Sequence, residues 1–217
     1  MSPTTRTVTI SLLGLALCPW LAACTRGSGV HATETRSTPG FTAIDVGNAI
    51  ALEVEVGPAT RVEVEGDDNV VPKVRTEVEG DTLRLALPGS VVTSLPLTVH
   101  VTTPALHELD ASGASTVDVR GLTGERLDVE LDGASTARLQ GELGALDADV
   151  SGASTLRAAE LAARAVDVEA GGASTAEVHA TESLDADASG ASTVRYHGQP
   201  ATLHRNASGA SKVEPAS

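Results

Sequence analysis

The sequence is poor in aromatic residues, in cysteine and in basic residues, and each shortage argues against a class of protein. Aromatic residues make up 1% of the 217 residues. Carbohydrate sites usually offer exposed aromatic rings, so a sugar-binding or sugar-cleaving protein is disfavoured. Two cysteines are too few for a disulfide scaffold. The 15 basic residues are outnumbered by 29 acidic ones, which disfavours nucleic acid and anionic lipid as partners.

Residues 1–23 have the features of an export signal. Arg6 precedes an apolar run from Val8 to Leu17, which is too short to span a bilayer comfortably. The run ends in Leu21-Ala22-Ala23-Cys24, which resembles the bacterial lipobox and implies cleavage before Cys24 and acylation of its sulfur. An ordinary cleaved signal with an incidental cysteine is the alternative.

Cleavage before Cys24 would also remove Cys18 and leave the mature chain without a cysteine pair. Residues 1–23 contain one arginine and no acidic residue, so the mature chain carries a net charge of −15. Thr25 follows Cys24, and the absence of aspartate there resembles sorting to the outer membrane of a Gram-negative bacterium.

Residues 24–40 are predicted to form a flexible tether. They are rich in Thr, Ser, Gly and charge, lack apolar periodicity and end in Pro39-Gly40. A flexible chain of this length reaches on the order of 22 Å. The following domain would then stand just clear of the lipid surface.

A Gly-Ala-Ser motif recurs six times in the second half of the chain. Its glycines are 20, 19, 20, 18 and 19 residues apart, and a fixed period near twenty is typical of a solenoid, in which each repeat buries its apolar face against its neighbours. The structural repeat positions are Gly113, Gly133, Gly152, Gly172, Gly190 and Gly209, with Ser115, Ser135, Ser154, Ser174, Ser192 and Ser211.

The pattern within each repeat predicts strands. From Leu127 to Leu139 every second residue is apolar or small, and mostly polar residues fall between them. Glycine tolerates unusual dihedral angles, so Gly-Ala-Ser is interpreted as a bend at which the coil turns a corner. The sequence therefore predicts an all-β solenoid with coils of about 19–20 residues.

The alternation also runs through residues 41–107 without the Gly-Ala-Ser motif. Larger side chains there can cover one open end of the stack, so residues 41–213 are interpreted as one solenoid domain and residues 214–217 as a tail. The C-terminal coil around Val213 has little sequence after it to cover it. Its unpaired edge could join a second copy in a homo-oligomer.

Several of these segments carry a family resemblance. Phe41-Thr42-Ala43-Ile44-Asp45-Val46, the Gly66-Asp67-Asp68-Asn69 turn, the Pro96-Leu97-Thr98-Val99 run and the repeated Ser-Gly-Ala-Ser resemble the bacterial "putative auto-transporter adhesin, head GIN domain" family. The resemblance covers the chain after the tether. It implies a single-stranded parallel β-helix and a secreted or lipid-anchored envelope protein without assigned catalytic residues. The chain departs from the family in its many alanines.

Acidic residues recur at two fixed positions of the repeat and are expected to form columns on the outer face. The column five residues before each glycine is Glu108, Asp128, Asp147, Asp167 and Asp185, and the column three residues before it is Asp110, Glu130, Asp149, Glu169 and Asp187. Weak divalent-cation binding, most plausibly of Ca²⁺, is one hypothesis for these columns. A solvated face that prevents sheet aggregation is the other.

Other polar residues carry weaker hypotheses. The repeated serines lack the second glycine of a nucleophile elbow, and repetition favours a structural role over catalysis. His179 and His197 could stack as a metal pair, but a third clustered ligand is missing. Asp118, Arg138, Arg157, Glu177 and Arg195 form a mixed-sign column that is interpreted as weak surface ion pairs.

Three functions are compatible with these features. The first is a non-enzymatic envelope lipoprotein that presents a rigid acidic solenoid for adhesion or for interaction with a protein or surface. The second is a carbohydrate-binding β-helix. The third is a periplasmic component that binds or senses divalent cations.

Overall fold

The repeats form successive coils of an all-β solenoid. A computed structural model describes residues 24–216; the predicted signal peptide, residues 1–23, lies outside the described residues. The strands in chain order are β1 (Thr25–Arg26), β2 (His31–Arg36), β3 (Ala43–Val46), β4 (Ala51–Val56), β5 (Arg61–Asp67), β6 (Arg75–Glu79), β7 (Thr82–Ala86), β8 (Val91–Val92), β9 (Thr98–Thr103), β10 (Glu108–Ala111), β11 (Thr116–Leu131), β12 (Thr136–Val150), β13 (Thr155–Ala170), β14 (Thr175–Ala188), β15 (Thr193–His197), β16 (Thr202–Ala207) and β17 (Lys212–Pro215). A 3₁₀ helix, Val71–Lys73, separates β5 from β6.

Equivalent residues of successive repeats lie beside one another. Strands β11 to β14 pair in parallel, so that Thr116 pairs with Thr136, Thr136 with Thr155 and Thr155 with Thr175. Strand β14 then pairs with β15 near its start and with β16 near its end. The predicted β-solenoid is confirmed, with about five turns.

The Gly-Ala-Ser motif forms a corner of each coil. Gly152 has a φ of 70°, and a Cβ at this position would lie 2.5 Å from the carbonyl oxygen of Gly133 in the preceding coil. That same carbonyl accepts a 2.7 Å hydrogen bond from the Ala153 amide. Glycine is required here because the backbone is left-handed and because the corners stack by main-chain hydrogen bonds.

The core is continuous and thin. Buried apolar side chains form one cluster that extends from Phe41 to Tyr196, and many of its members are alanines such as Ala148 and Ala186, which are fully or almost fully buried. Each alanine removes little apolar area from water. The hydrogen-bond ladders between coils therefore account for a large part of the order of this stack.

The N-terminal end of the solenoid contains antiparallel pairs, which the parallel-coil prediction did not include. Strand β5 pairs antiparallel with both β2 and β9, and β6 forms an antiparallel pair with β7. Parallel pairing resumes through β9–β4–β11 and through β7–β3–β10–β11. These strands continue the sheet at the N-terminal end of the stack. That the larger side chains of residues 41–107 cover the open end stays a prediction.

The prediction of a flexible tether over residues 24–40 is wrong for two segments. Thr25–Arg26 pairs with β8, and His31–Arg36 pairs with β5 over six residues. The side chains of β2 are exposed or only partly buried on both of its faces. The strand is held by main-chain pairing rather than by an apolar face, so its sequence carries no apolar alternation.

The last coil is formed by β16 and β17. Strand β16 is exposed along its whole length, with Leu203 37% exposed. Strand β17 includes Glu214 and Pro215, which were predicted to belong to the tail. Both strands have one edge that pairs with no other strand among the described residues.

Candidate interaction surface

Ten carboxylates form two columns along one side of the solenoid, here called the acidic face. Strand register places Glu108, Asp128, Asp147, Asp167 and Asp185 in one column, which ends beside His204. It places Asp110, Glu130, Asp149, Glu169 and Asp187 in the other, which ends beside Asn206. The predicted columns therefore exist, with neighbouring coils about 4.8 Å apart.

The second column is longer than the repeats indicated. Asp45 pairs in register with Asp110, and Arg84 lies beyond Asp45. The Arg84 Nε lies 3.9 Å from the Asp45 carboxylate. Asp45 has no Gly-Ala-Ser motif after it, so its place in the column could not be read from the repeat spacing.

Desolvation and neighbouring negative charges raise the pKa of two carboxyls on the acidic face. The pKa of Asp110 rises from 3.8 to about 6, because the side chain is partly desolvated and lies beside Glu108, Glu130 and Asp45. Desolvation and repulsion from Asp147, Asp185 and Asp187 raise the pKa of Asp167. The acidic face is thus a repulsive array, which a cationic partner would stabilise.

An arginine relieves part of this repulsion. The Arg126 Nε donates to the Asp128 carboxylate at 2.6 Å, and its Nη2 donates to Asp147 at 2.7 Å. These two bonds bridge neighbouring coils of the first column. This role was not predicted from the sequence. The signal that could have indicated it is the position of Arg126, which has the same outward parity as Asp128.

Two shallow grooves follow the acidic face. One, of about 300 Å³, has Ala145, Ala165 and Ser183 among its lining residues, with Arg126 and His204 near its ends. The other, of about 190 Å³, is lined by Asp149, Glu169 and Asp187 together with small residues. Three carboxylates line each groove, so both grooves offer hydrogen-bond acceptors and negative charge to a ligand.

The acidic residues do not converge on a point. Within residues 24–216, no group of three or more His, Cys, Asp or Glu side chains is arranged to hold a metal ion. The carboxylates point outward from parallel strands at regular spacing. Ca²⁺ binding at these columns stays a prediction.

The other predicted polar groups lie on a second side of the coil. Register joins Asp118, Arg138, Arg157, Glu177 and Arg195 in one column. Among the described residues no ion pair joins two of these five members. Arg195 instead pairs at 3.3 Å with Glu214, its neighbour in register on β17. The His179 and His197 rings are adjacent, with centroids 6.2 Å apart, and His197 Nε2 lies 2.8 Å from Glu177.

The repeated serines turn inward at the corners. Ser115, Ser135, Ser154, Ser174 and Ser192 are at most 1% exposed. The Ser135 hydroxyl donates to the Asp132 carbonyl at 2.8 Å, whereas the hydroxyls of Ser154 and Ser174 have no hydrogen-bond partner among the described residues. Ser211, at the last corner, is only partly buried. The structural role of the six serines stays a prediction.

Comparison with known proteins identifies the family. A model of the family described as "Putative auto-transporter adhesin, head GIN domain" matches residues 40–200. The chain belongs to this head GIN family. Among curated proteins, none matches the chain.

Solved structures share the head GIN fold along almost their whole length. A "putative adhesin" from Bacteroides fragilis NCTC 9343 is 21% identical, covers 88% of this chain and 99% of its own, and has a TM-score of 0.73. A "putative adhesin" from Parabacteroides distasonis ATCC 8503 is 24% identical at the same coverage, with a TM-score of 0.63. A "putative lipid binding protein" from the same strain is 17% identical at that coverage, with a TM-score of 0.57.

In the described part of this head GIN chain, no helix has the length and apolarity needed to cross a membrane.

Proposed function

We propose that the mature chain is a non-enzymatic, lipid-anchored protein of the cell envelope that uses its acidic face for adhesion to a basic protein or surface. Membership of an adhesin-named family supports an exported interaction protein. The Leu21-Ala22-Ala23-Cys24 sequence supports acylation at Cys24, and Thr25 supports the outer membrane of a Gram-negative bacterium as its location.

The observation that carries the proposal is the register of the acidic face. Eleven carboxylates, Asp45 included, are held in two columns by hydrogen-bonded strands, so the spacing of their backbone positions is fixed before a partner binds. A preorganised charged surface loses little side-chain and backbone freedom on binding and attracts an opposite charge at a distance. Desolvation and then repulsion from neighbouring carboxylates raise the pKa of Asp110 and Asp167, and a cationic partner would relieve the repulsion.

Carbohydrate binding has weaker support. Phe41 is 3% exposed and Tyr196 is 8% exposed, and they are the aromatic residues of the described chain apart from histidine. Residues 24–216 therefore expose no phenyl or phenol ring on which a sugar could stack.

Cell adhesion to charged surfaces tests the proposed role. Cells that display the protein are compared on amine-coated, neutral and carboxylate-coated supports. We expect adhesion to the amine-coated support, and we expect the combined change of Asp128, Asp147 and Asp167 to asparagine to weaken it because the first column loses its central charges.

A matched control separates the acidic face from overall charge. Changing Glu55, Glu125 and Glu182 to glutamine removes three exposed acidic charges that lie outside both columns. Adhesion should survive in this control. An equal loss in both variants would show that net charge alone is responsible, and no loss in either would exclude the acidic face as the adhesive surface.

Anchoring and display need separate measurements. Metabolic labelling with an alkyne fatty acid should label the wild-type protein and not a Cys24→Ala variant, and absence of label on the wild type would overturn the anchor. Protease added to intact cells should digest the domain if it is displayed outside. Complete protection would place the domain in the periplasm and overturn its role as a surface adhesin.

A further inference from the structure

The chain that leaves Cys24 is attached to the domain from the next residue onward. The Thr25 amide donates to the Ser90 carbonyl at 2.9 Å, and the Gly27 amide donates to the Val92 carbonyl at 2.8 Å. Consecutive Cα atoms lie about 3.8 Å apart. An acyl group on Cys24 would therefore hold this part of the domain at the membrane, without the reach of a flexible linker.

A buried carboxylate fixes the same segment in place. Asp67, at the end of β5, is 1% exposed. It accepts hydrogen bonds from the amides of Gly29 at 2.7 Å, Ser94 at 2.8 Å and Leu95 at 3.1 Å. Although burial acts to raise its pKa, these three donors lower it below the usual value. Asp67 thus ties the residues after Cys24 to the loop between β8 and β9.

The surface around this attachment combines exposed apolar and basic side chains with one exposed carboxylate, that of Asp68, which accepts a hydrogen bond from the Ser28 hydroxyl. Val30 and Val92 are 56% and 57% exposed, and they are two of the three exposed large hydrophobic side chains in residues 24–216. Arg26 pairs in register with Val92, and the Lys73 Nζ donates to the Thr25 hydroxyl at 2.6 Å. We call Arg26, Val30, Lys73 and Val92 the anchor-side surface.

The two cations of the anchor-side surface are not neutralised by the protein. Arg26 and Lys73 are exposed, and no carboxylate of the described chain lies within 4.0 Å of either charged group. The mature chain has 29 acidic residues, and seven of its twelve arginines form ion pairs. Unpaired cations beside exposed valines match the phosphates and upper acyl region of a lipid surface.

We infer that the anchor-side surface rests on the lipid headgroups of the membrane, which fixes the orientation of the whole domain. The inference extends the proposed anchor at Cys24. The net charge of −15 argues against anionic lipid as a partner of the chain overall, but charges separated by more than about 8–10 Å are screened at physiological salt. At the contact the two local cations outnumber the one exposed carboxylate, that of Asp68. Strand order places the last coil at the far end of the stack.

Depth-dependent fluorescence quenching tests this contact directly. The mature chain contains one cysteine and no tryptophan, so a maleimide lipid can be coupled to Cys24 and a tryptophan introduced as a probe. Vesicles contain phosphatidylcholine and phosphatidylglycerol, with bromine on the acyl chains. We expect Val30→Trp and Val92→Trp each to be quenched and Leu203→Trp, on the last coil, to stay unquenched.

The coupled lipid separates this test from the question of acylation in cells. If metabolic labelling of Cys24 fails but the two probes are quenched, the proposed anchor is wrong and the lipid-facing surface stands. If labelling succeeds but neither Val30→Trp nor Val92→Trp is quenched, or if Leu203→Trp is quenched equally, the orientation is wrong. Circular dichroism of each variant verifies that it is folded.

A charge comparison completes the test. Without a coupled lipid, the domain should bind phosphatidylglycerol vesicles weakly, and changing Arg26 and Lys73 to glutamine should reduce that binding at least about tenfold. Changing Arg157 and Arg164 to glutamine removes two exposed arginines elsewhere and should have little effect. An equal reduction in both double variants would show a general charge effect and overturn the specific contact.

Discussion

Replacing Asp110 with asparagine tests the electrostatic cost of the acidic face. The folded protein raises the pKa of this carboxyl from 3.8 to about 6, and each pKa unit corresponds to about 1.4 kcal/mol. The fold therefore loses up to about 3 kcal/mol of stability when Asp110 ionises. Partial exposure and salt screening reduce this effect, so we expect asparagine to stabilise the protein by about 1–2 kcal/mol at pH values above about 7.

The sign of the pH dependence follows from the direction of the pKa shift. Because the folded state holds the Asp110 proton more tightly than the unfolded chain, this residue favours folding most below about pH 4, and the effect is lost as the pH rises through about 6. The stability gain of Asp110→Asn should therefore be near zero at about pH 4 and reach its full value at about pH 8.

Urea unfolding followed by far-ultraviolet circular dichroism measures this difference at both pH values. Glu182→Gln is the matched control, since it removes one exposed negative charge that lies outside both columns. A stabilisation of the same size in the control would mean that net charge, rather than crowding at Asp110, is responsible. An Asp110→Asn protein without any gain at the higher pH would refute the reasoning.

Three further changes test the corners, the buried serines and the last coil. Gly152→Ala places a Cβ 2.5 Å from a backbone oxygen. Its control is Gly80→Ala, which shares a positive φ but has open space and should lower the free energy of unfolding by roughly 1–2 kcal/mol. Gly152→Ala should lower it by more, and equal losses in urea denaturation would contradict the stacked corners. Ser154→Ala removes an unpaired buried hydroxyl and should stabilise the protein by about 1 kcal/mol. Ser135→Ala removes a 2.8 Å hydrogen bond and should destabilise the protein by a similar amount. Urea denaturation checks that the two changes in unfolding free energy have opposite signs. Arg205 occupies a core-facing register position beside the open edge. Arg205→Leu should therefore promote end-to-end association, measured by light scattering. A variant that stays monomeric at high concentration would show that the arginine does not protect this edge.

The coils could be predicted because each physical requirement recurs. A corner at a positive φ against a neighbouring backbone requires glycine, as at Gly152, and an inward position between two coils requires a small or apolar residue, as at Ala148. With repetition, these requirements become a period in the sequence. The same repetition predicted the columns through residues such as Asp128 and Asp147.

The N-terminal end could not be predicted in this way, because its contacts occur once. Strand β2 is held by main-chain hydrogen bonds that leave no side-chain pattern, so its sequence predicts a tether instead of a strand. Asp67 was interpreted as a turn residue, although its carboxylate binds three amides that are distant in sequence. The bridging role of Arg126 depends on side-chain reach across coils, which spacing alone does not give.

The equivalence of the coils also bears on how such a chain can change in length. Because the corners at Gly133 and Gly152 make the same hydrogen bonds to their neighbours, duplicating or deleting the whole 19-residue unit between them would leave every other ladder in register. Each such event would lengthen or shorten the molecule by about 4.8 Å and add or remove one pair of carboxylates. The two terminal structures, which occur once, would be carried along unchanged.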